Sequence, residues 1–362
     1  RQALAMMDHP NISRVFDGGA TEFGQPYFVM ELVQGLPVTE YCDAKRLDTH
    51  QRLLLFTKIC AAVHHAHQKG IIHRDLKPSN ILVPEIDGVA VPKVIDFGVA
   101  KAINQELTEQ TLYTHSSQMV GTPLYMSPEQ AGLGVIDIDT RSDIYALGVL
   151  LYELIAGSTP FDREQLKSAG FDEMRRIIRE DDPIKPSAKV ETLKADSQST
   201  VCERRAIDPR TLCKMLKGEL DWMVMKAMDK DRNRRYESAN DLAEDVHRYL
   251  RNEVVVAKPA THWYRIRKFS QRNRVLVASL SAVFLALSVG ASLTTIAFLH
   301  ADQARDATNQ ALAEITHEQE NNRELIKLLR KFFPGKWGMK TLERNRTVYE
   351  SMEEISQTLA TD

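Results

Sequence analysis

The run from residue 275 to 299 contains no Asp, Glu, Lys, Arg or His. As a helix rising about 1.5 Å per residue it is roughly 37 Å long, enough to cross a hydrocarbon core of about 30 Å. A helix buried in a globular core is the alternative, and the flanks argue against it. Arg265, Arg267, Lys268, Arg272 and Arg274 precede the run with no acid among them, whereas Asp302, Arg305 and Asp306 follow it. The positive-inside rule then places residues 1–274 in the cytoplasm and 300–362 outside the cell membrane, with one pass between them.

The part before the run has an ordinary globular character. The whole chain is 43% hydrophobic and 27% charged with a formal net charge of -2, which gives no global attraction to nucleic acid. Cys42, Cys60, Cys202 and Cys213 form no CxxC pair, so neither a zinc site nor a disulfide framework is expected. All four lie on the side read as cytoplasmic, where thiols stay reduced. The chain opens at Arg1 without a signal-peptide pattern, and residues 1–7 are helical in character up to Asp8-His9-Pro10. We expect a chain that begins inside a helix, a piece of a longer protein.

Periodicity predicts a buried strand over 27–33, a helix over 53–69 stopped by Gly70, and short apolar runs at 81–83 and 91–95. Residues 142–156 predict a buried helix starting at Ser142 or Asp143, too short and too charged at its ends to span a bilayer. Residues 181–210, rich in Pro, Lys, Asp and Ser, read as a loop insertion, with order returning at 220–228 and 239–250. Beyond the apolar run, 304–333 is helical and polar, Pro334-Gly335 breaks it, and Leu342, Tyr349, Met352, Ile355 and Leu359 mark a second stripe. The pair reads equally as the start of a helical repeat or as a stalk.

The chemistry concentrates in His73-Arg74-Asp75-Leu76-Lys77-Pro78-Ser79-Asn80, followed by Asp96-Phe97-Gly98. Phosphoryl transfer asks a protein mainly for charge held in place around phosphates. Asp75 is placed to meet a substrate hydroxyl. Asn80 and Asp96 offer the oxygen ligands that Mg²⁺ prefers, and Lys77 supplies a cation for charge developing at a γ-phosphate. Either tripeptide alone would be weak; both in order, at this spacing, are specific.

On these residues, 1 to about 250 resemble a eukaryotic-type protein Ser/Thr kinase, most similar to bacterial membrane-anchored ones. The resemblance implies an α+β, protein-kinase-like fold, mainly the helical C-lobe with remnant N-lobe strands, followed by one transmembrane helix and a helical extension. It implies ATP and Mg²⁺ as cofactors and protein Ser or Thr hydroxyls as acceptors. Gly121-Thr122-Pro123 and Ser127-Pro128-Glu129 resemble the end of an activation segment. Thr122 would then bond the catalytic Asp75 and Lys77, Glu129 would pair with Arg235, and Asp143 would hold the backbone of the catalytic loop around His73 and Arg74. Met30 stands at the gatekeeper position, Glu31 and Val33 at a hinge that bonds adenine through its backbone, and Leu82 also falls in the cofactor site. Phe97 and Gly98 complete the metal-binding motif.

Arg74, beside the catalytic aspartate, is suited to pair with a phosphate on the activation segment, and Thr114, Ser116 and Ser117 are the favoured autophosphorylation sites. Other features have plainer readings. His64, His65 and His67 lack a carboxylate or cysteine at ligand spacing, so they read as helix residues. Gly18, Gly19 and Gly24 have the wrong spacing for a phosphate-binding loop and predict a turn between strands. Lys93 lies on the strand entering the metal motif and cannot replace an ATP-anchoring lysine.

The pattern departs from the family at one end. No glycine-rich loop or third-strand lysine precedes Asp75, and the glutamate that pairs with such a lysine would fall immediately before Arg1. We expect this polypeptide alone to have little activity and its full-length parent to be active. A catalytically inactive kinase-like membrane scaffold is the rival reading, although Asp75, Asn80 and Asp96 all stand. The expected division is a kinase domain with a truncated N-lobe over 1–252, a basic juxtamembrane linker over 253–274, the transmembrane helix over 275–299 and an extracytoplasmic helical region over 300–362. Expected partners are ATP, protein substrates and the lipid bilayer, with a homodimer serving activation in trans and no nucleic acid.

Overall fold

The computed structural model describes residues 7–22, 26–97, 123–132, 138–193, 195–259 and 261–332. The chain divides into two compact units, 1–273 and 274–362.

The first unit opens with a hairpin of β1 (Val15–Ala20) and β2 (Pro26–Met30). The predicted strand over 27–33 therefore stops at Met30. Gly18 and Gly19 sit inside β1 opposite Phe28 and Tyr27, so they do not form the expected turn. A side chain at Gly18 would come 2.9 Å from the Phe28 ring, and one at Gly19 2.6 Å from the Tyr27 hydroxyl. These glycines make room for two aromatic rings across the strand pair. Gly24 lies outside the described residues.

A three-stranded sheet follows, in the order β3 (Leu36–Pro37), β4 (Ile81–Val83) and β7 (Lys93–Val94), all antiparallel. The hairpin of β5 (Glu85–Ile86) and β6 (Val89–Ala90) connects β4 to β7. Between β3 and β4 run α1 (Val38–Ala44) and α2 (Thr49–Gln68). Helix α2 begins four residues before the predicted start because Asp48 and Gln51 form a capping box, each side chain bonding the other's backbone N–H.

Helix α3 (Thr140–Ala156) is buried on nearly every side and packs against α2 and against α9 (Asp221–Ala227). Its N-cap is Asp139, three residues before the predicted start, which leaves Asp143 inside the first turn and buried. Gly157, at φ 81°, closes it in the left-handed conformation that costs glycine little. Helices α4 (Arg163–Ser168) and α5 (Phe171–Glu180) follow it in the chain, and α10 (Ala239–Leu250) packs on both α3 and α2.

The segment 181–210 is not a loop. It holds α6 (Pro186–Thr192) and α7 (Ala195–Glu203), and α8 (Pro209–Met215) begins at its end. Pro186 and Pro209 each open a helix, where a missing N–H costs nothing, and Asp208 caps α8. Polar composition concealed these starts. Arg205, 2% exposed, donates to the carbonyls of Glu153, Leu154 and Ile155 at 3.2, 2.9 and 3.0 Å, satisfying the C-terminal end of α3. Burial, with Arg52 nearby, lowers its pKa to about 10.

The chain after α10 remains attached to this unit. Asp245, fully buried, accepts from the N–H groups of Val256 and Ala257 at 2.6 and 2.9 Å and from the Tyr236 hydroxyl at 2.8 Å. Helix α11 (His262–Arg272) then packs through Tyr264 and Lys268.

The second unit is described over one continuous helix, α12 (Arg274–Phe332). The apolar run and the polar stretch after it are a single element, its apolar part carrying exposed Phe284, Leu287 and Phe298. The hydroxyls of Ser288, Ser292 and Thr295 donate at 2.8 Å to the carbonyls of Phe284, Ser288 and Ala291, one turn back. The second stripe, 342–359, lies outside the described residues.

Candidate active site

The segment 73–80 crosses the N-terminal turn of α3, and one buried carboxylate holds it there. Asp143 accepts the backbone N–H of His73 through Oδ2 and that of Arg74 through Oδ1, both at 2.8 Å. His67, on the last turn of α2, reaches the same Oδ2 at 2.7 Å. His67 is therefore a support of the loop, a role its sequence position beside His64 and His65 did not disclose. Arg74 takes φ 68°, a conformation that costs a non-glycine residue energy and persists where surroundings hold it. The Gln130 side chain adds to that hold by donating to the Arg74 carbonyl at 2.7 Å. Sequence reasoning missed Gln130; its one signal was its place beside Glu129.

His73 joins this loop to the strand that follows. Its Nδ1 accepts from the Asp75 N–H at 3.3 Å, which leaves Nε2 to donate to the Ile95 carbonyl at 3.0 Å. The bond accepted at Nδ1 requires a neutral ring. Burial pushes the His73 pKa down, against the opposing pull of Asp143. The ring packs on Phe97 with centroids 4.8 Å apart.

Strand pairing brings the oxygen donors together. Ile81 pairs with Val94, and the Ile95 N–H donates to the Asn80 carbonyl at 2.9 Å, so Asn80 and Asp96 stand at one end of the β4–β7 ribbon. The Asn80 amide N–H₂ donates to the Asp75 carbonyl at 2.8 Å and to Asp75 Oδ2 at 3.3 Å. Its amide oxygen is thereby turned the other way. Lys77 Nζ donates to Asp75 Oδ2 at 2.7 Å. Asp96 is exposed and takes φ 57°, the second strained residue of the site.

A second carboxylate fixes the far side. Glu129 receives two parallel bonds from the Arg235 guanidinium, of 2.7 and 2.8 Å, and one of 2.6 Å from the Ser142 hydroxyl. Burial by itself would raise the Glu129 pKa, but the arginine and the hydroxyl outweigh it and hold the carboxyl at about 2. Arg235 also donates to the carbonyls of Asp229 and Arg141 and lies over the Tyr145 ring.

On the strand side, Leu82 and Val33 are half-buried, and Glu31 follows β2 directly. The Glu31 side chain forms an ion pair with Lys93 at 2.6 Å. Burial raises the Glu31 pKa, and Lys93 together with the Arg14 N–H brings it below the usual carboxylate range. Lys93 is thus committed to Glu31. Gly98, Thr114, Ser116, Ser117 and Thr122 lie outside the described residues.

The donor set suits a hard cation: an amide oxygen at Asn80 and an exposed carboxylate at Asp96, with no competing sulfur or imidazole in the pair.

Comparison with known proteins gives the family. The protein kinase domain family matches residues 1–250. Serine/threonine-protein kinase PknB of Mycobacterium tuberculosis is 34% identical over 256 residues, covering 70% of this chain and 35% of that protein. Serine/threonine-protein kinase PrkC of Bacillus subtilis is 34% identical over 246 residues, covering 68% and 32%. The chain therefore spans about a third of the length of these curated relatives. Among solved structures, the kinase domain of PknI from Mycobacterium tuberculosis is 24% identical with a TM-score of 0.45, covering 68% of this chain and 74% of that one.

Proposed function

The chain belongs to the protein kinase family and has its fold, and from that premise we propose that it transfers the γ-phosphate of ATP to Ser or Thr hydroxyls of proteins while anchored in a membrane. The observation that carries the reading is the loop clamped by Asp143, which gathers Asp75, Lys77 and Asn80 beside Asp96.

In this mechanism Asp75 accepts a hydrogen bond from the acceptor hydroxyl and aims its oxygen at the γ-phosphorus. As the new P–O bond forms, the bond to the leaving ADP oxygen breaks and the hydroxyl proton passes to Asp75. Lys77, already against Asp75, faces the charge on the transferring group. Asn80 and Asp96 are the residues that would hold Mg²⁺, which neutralises phosphate charge when bound. The backbone at Glu31 and Val33, with Leu82, receives adenine. Thr122 bonds Asp75 and Lys77. Arg74 pairs with a phosphate at Thr114, Ser116 or Ser117. The Lys77 of a Ser/Thr-type loop supports hydroxyl acceptors on Ser and Thr.

The anchor reading rests on the uncharged run 275–299, its basic N-terminal flank, and the serine and threonine hydroxyls bonded back within the helix, as lipid requires. We assign 1–252 to the cytoplasmic kinase domain, 253–274 to the juxtamembrane segment, 275–299 to the span and 300–362 to the extracytoplasmic side, where a signal could enter. A homodimer would bring two catalytic domains close enough for activation in trans.

Asp96→Ala, in the protein expressed from its own gene, tests the assignment: phosphotransfer disappears while the chain still enters the membrane. Retained phosphotransfer in that variant would overturn the metal role of Asp96.

A further inference from the structure

Helix α11 has two working faces, and only one of them meets the protein. Tyr264 and Lys268, one turn apart, are each 7% exposed. The Tyr264 hydroxyl accepts from the Val255 N–H at 3.2 Å, and Lys268 Nζ forms an ion pair with Glu219 at 2.7 Å. Asp245 secures the segment that leads into the helix by holding Val256 and Ala257. The helix is bonded to the kinase domain at both its approach and its centre.

The opposite face carries three uncovered apolar side chains, with His262 and Ser270 between them. Trp263 is 77% exposed, Ile266 56% and Phe269 49%. At about 100° per residue these three occupy one arc whose centre lies roughly 180° from the Tyr264–Lys268 edge. Arg267 borders the arc on one side and Arg265 and Arg272 on the other. Arg265 and Arg267 form no ion pair among the described residues. An exposed arc led by tryptophan, isoleucine and phenylalanine and bordered on both sides by arginines is the pattern of a helix lying in a membrane interface.

Chain length gives the reason to commit to a membrane. Arg272 is three residues from Val275, so the end of α11 cannot lie more than about 11 Å from the start of the run that enters the bilayer. The surface beside a basic flank is the cytoplasmic leaflet, which carries anionic lipid and attracts each nearby Arg or Lys.

We propose that α11 is an interfacial clamp: Trp263, Ile266 and Phe269 insert among the headgroups of an anionic leaflet while Tyr264 and Lys268 remain fixed to the kinase domain. The inference rests on the anchor reading above. It goes further by making the juxtamembrane segment a rigid mount, which sets the height and tilt of the catalytic face over the membrane. Acceptor hydroxyls within reach are then those carried at a defined distance from the bilayer.

The test uses the chain 1–362 in nanodiscs of phosphatidylcholine with phosphatidylglycerol, with brominated phosphatidylcholine as a contact quencher of tryptophan emission. Carbonate extraction of the same preparation reports on the span separately. The expected result is a chain that resists carbonate and whose emission is quenched, with that quenching lost in Trp263→Phe. Arg265→Gln combined with Arg267→Gln leaves the fold intact and lowers the ratio of quenched to unquenched Trp263 by more than about tenfold, as does replacing phosphatidylglycerol with phosphatidylcholine. A chain that resists carbonate but shows no Trp263-dependent quenching overturns the clamp and leaves the span standing. Release by carbonate overturns the span and the clamp with it. Trp263 emission that is equally shielded in lipid-free detergent, with the chain dimeric, assigns the arc to a second copy and likewise overturns the clamp.

Discussion

Glu129 and Arg235, 106 residues apart in sequence, are joined by two parallel hydrogen bonds of 2.7 and 2.8 Å with almost no solvent around either side chain. The pair ties the segment 123–132 to the loop before α10. Glu129→Gln leaves the guanidinium buried without its counter-charge, a loss of about 3–5 kcal/mol in urea unfolding. Arg235→Lys does almost as badly, because an ammonium cannot satisfy two carboxylate oxygens and the carbonyls of Asp229 and Arg141 together. The sign of the pH effect follows from the carboxyl's folded value of about 2, depressed from 4.5. Its contribution is complete above the unfolded value and is lost as pH falls from 4.5 toward 2. Acid unfolding of the Gln variant lacks that component, and an unchanged acid limb would contradict the pairing.

His73 gives stability a dependence in a different window. Burial lowers its folded pKa below 6.5, so the unfolded chain binds a proton that the folded chain refuses. Stability is full above pH 6.5 and declines as pH falls below it, before Glu129 begins to titrate. Protonation would also force Nδ1 to stop accepting the Asp75 N–H. Urea midpoints taken between pH 7.5 and 5 are expected to drop for the parent chain and to be flatter for His73→Phe, which has no proton to gain.

The residues proposed for the chemistry could be picked from the sequence because they are local: His73 to Asn80 is one short segment, and Asp96 follows within a single β-ribbon. Asp143 and Arg235 were reached only through resemblance to a family, since spacing says nothing about partners 70 and 106 residues away. His67 and Gln130 escaped notice because an imidazole or an amide declares its partner only once the chain is folded. The helices within 181–210 were missed for another reason. They rest on prolines that open α6 and α8, on the Asp208 cap of α8 and on Arg205 buried against the end of α3, and a polar composition hides all of these.

Gly148 of α3 faces the C-terminal end of α9. A Cβ there would lie 2.8 Å from the Ala227 Cβ and 2.8 Å from the Met228 Cγ. Met228 is flexible enough to move, whereas Ala227 belongs to a helix packed on both sides. Gly148→Ala gains helix propensity but forces the helices apart, for a net loss of about 1–3 kcal/mol. Thermal unfolding distinguishes this from a simple propensity effect, which would raise the midpoint.

Asp143 and Asp75 separate support from chemistry. The Asp143 carboxylate accepts from two backbone N–H groups and meets His67, and it is 1% exposed. An amide in its place turns one acceptor into a donor facing N–H groups. Asp143→Asn therefore costs about 1–3 kcal/mol in stability. It also frees the strained backbone at Arg74, and a catalytic group displaced by an ångström costs about 10²-fold in rate. Asp75 has a partly exposed side chain, and the bond from Asn80 to its carbonyl survives substitution. Asp75→Asn is expected to lower kcat by about 10²–10⁴-fold with no loss of thermal stability. Unfolding and phosphotransfer measured together decide the matter: a rate loss in Asp143→Asn without any loss of stability would place that carboxylate in the chemistry, and a destabilised Asp75→Asn would place Asp75 in the scaffold.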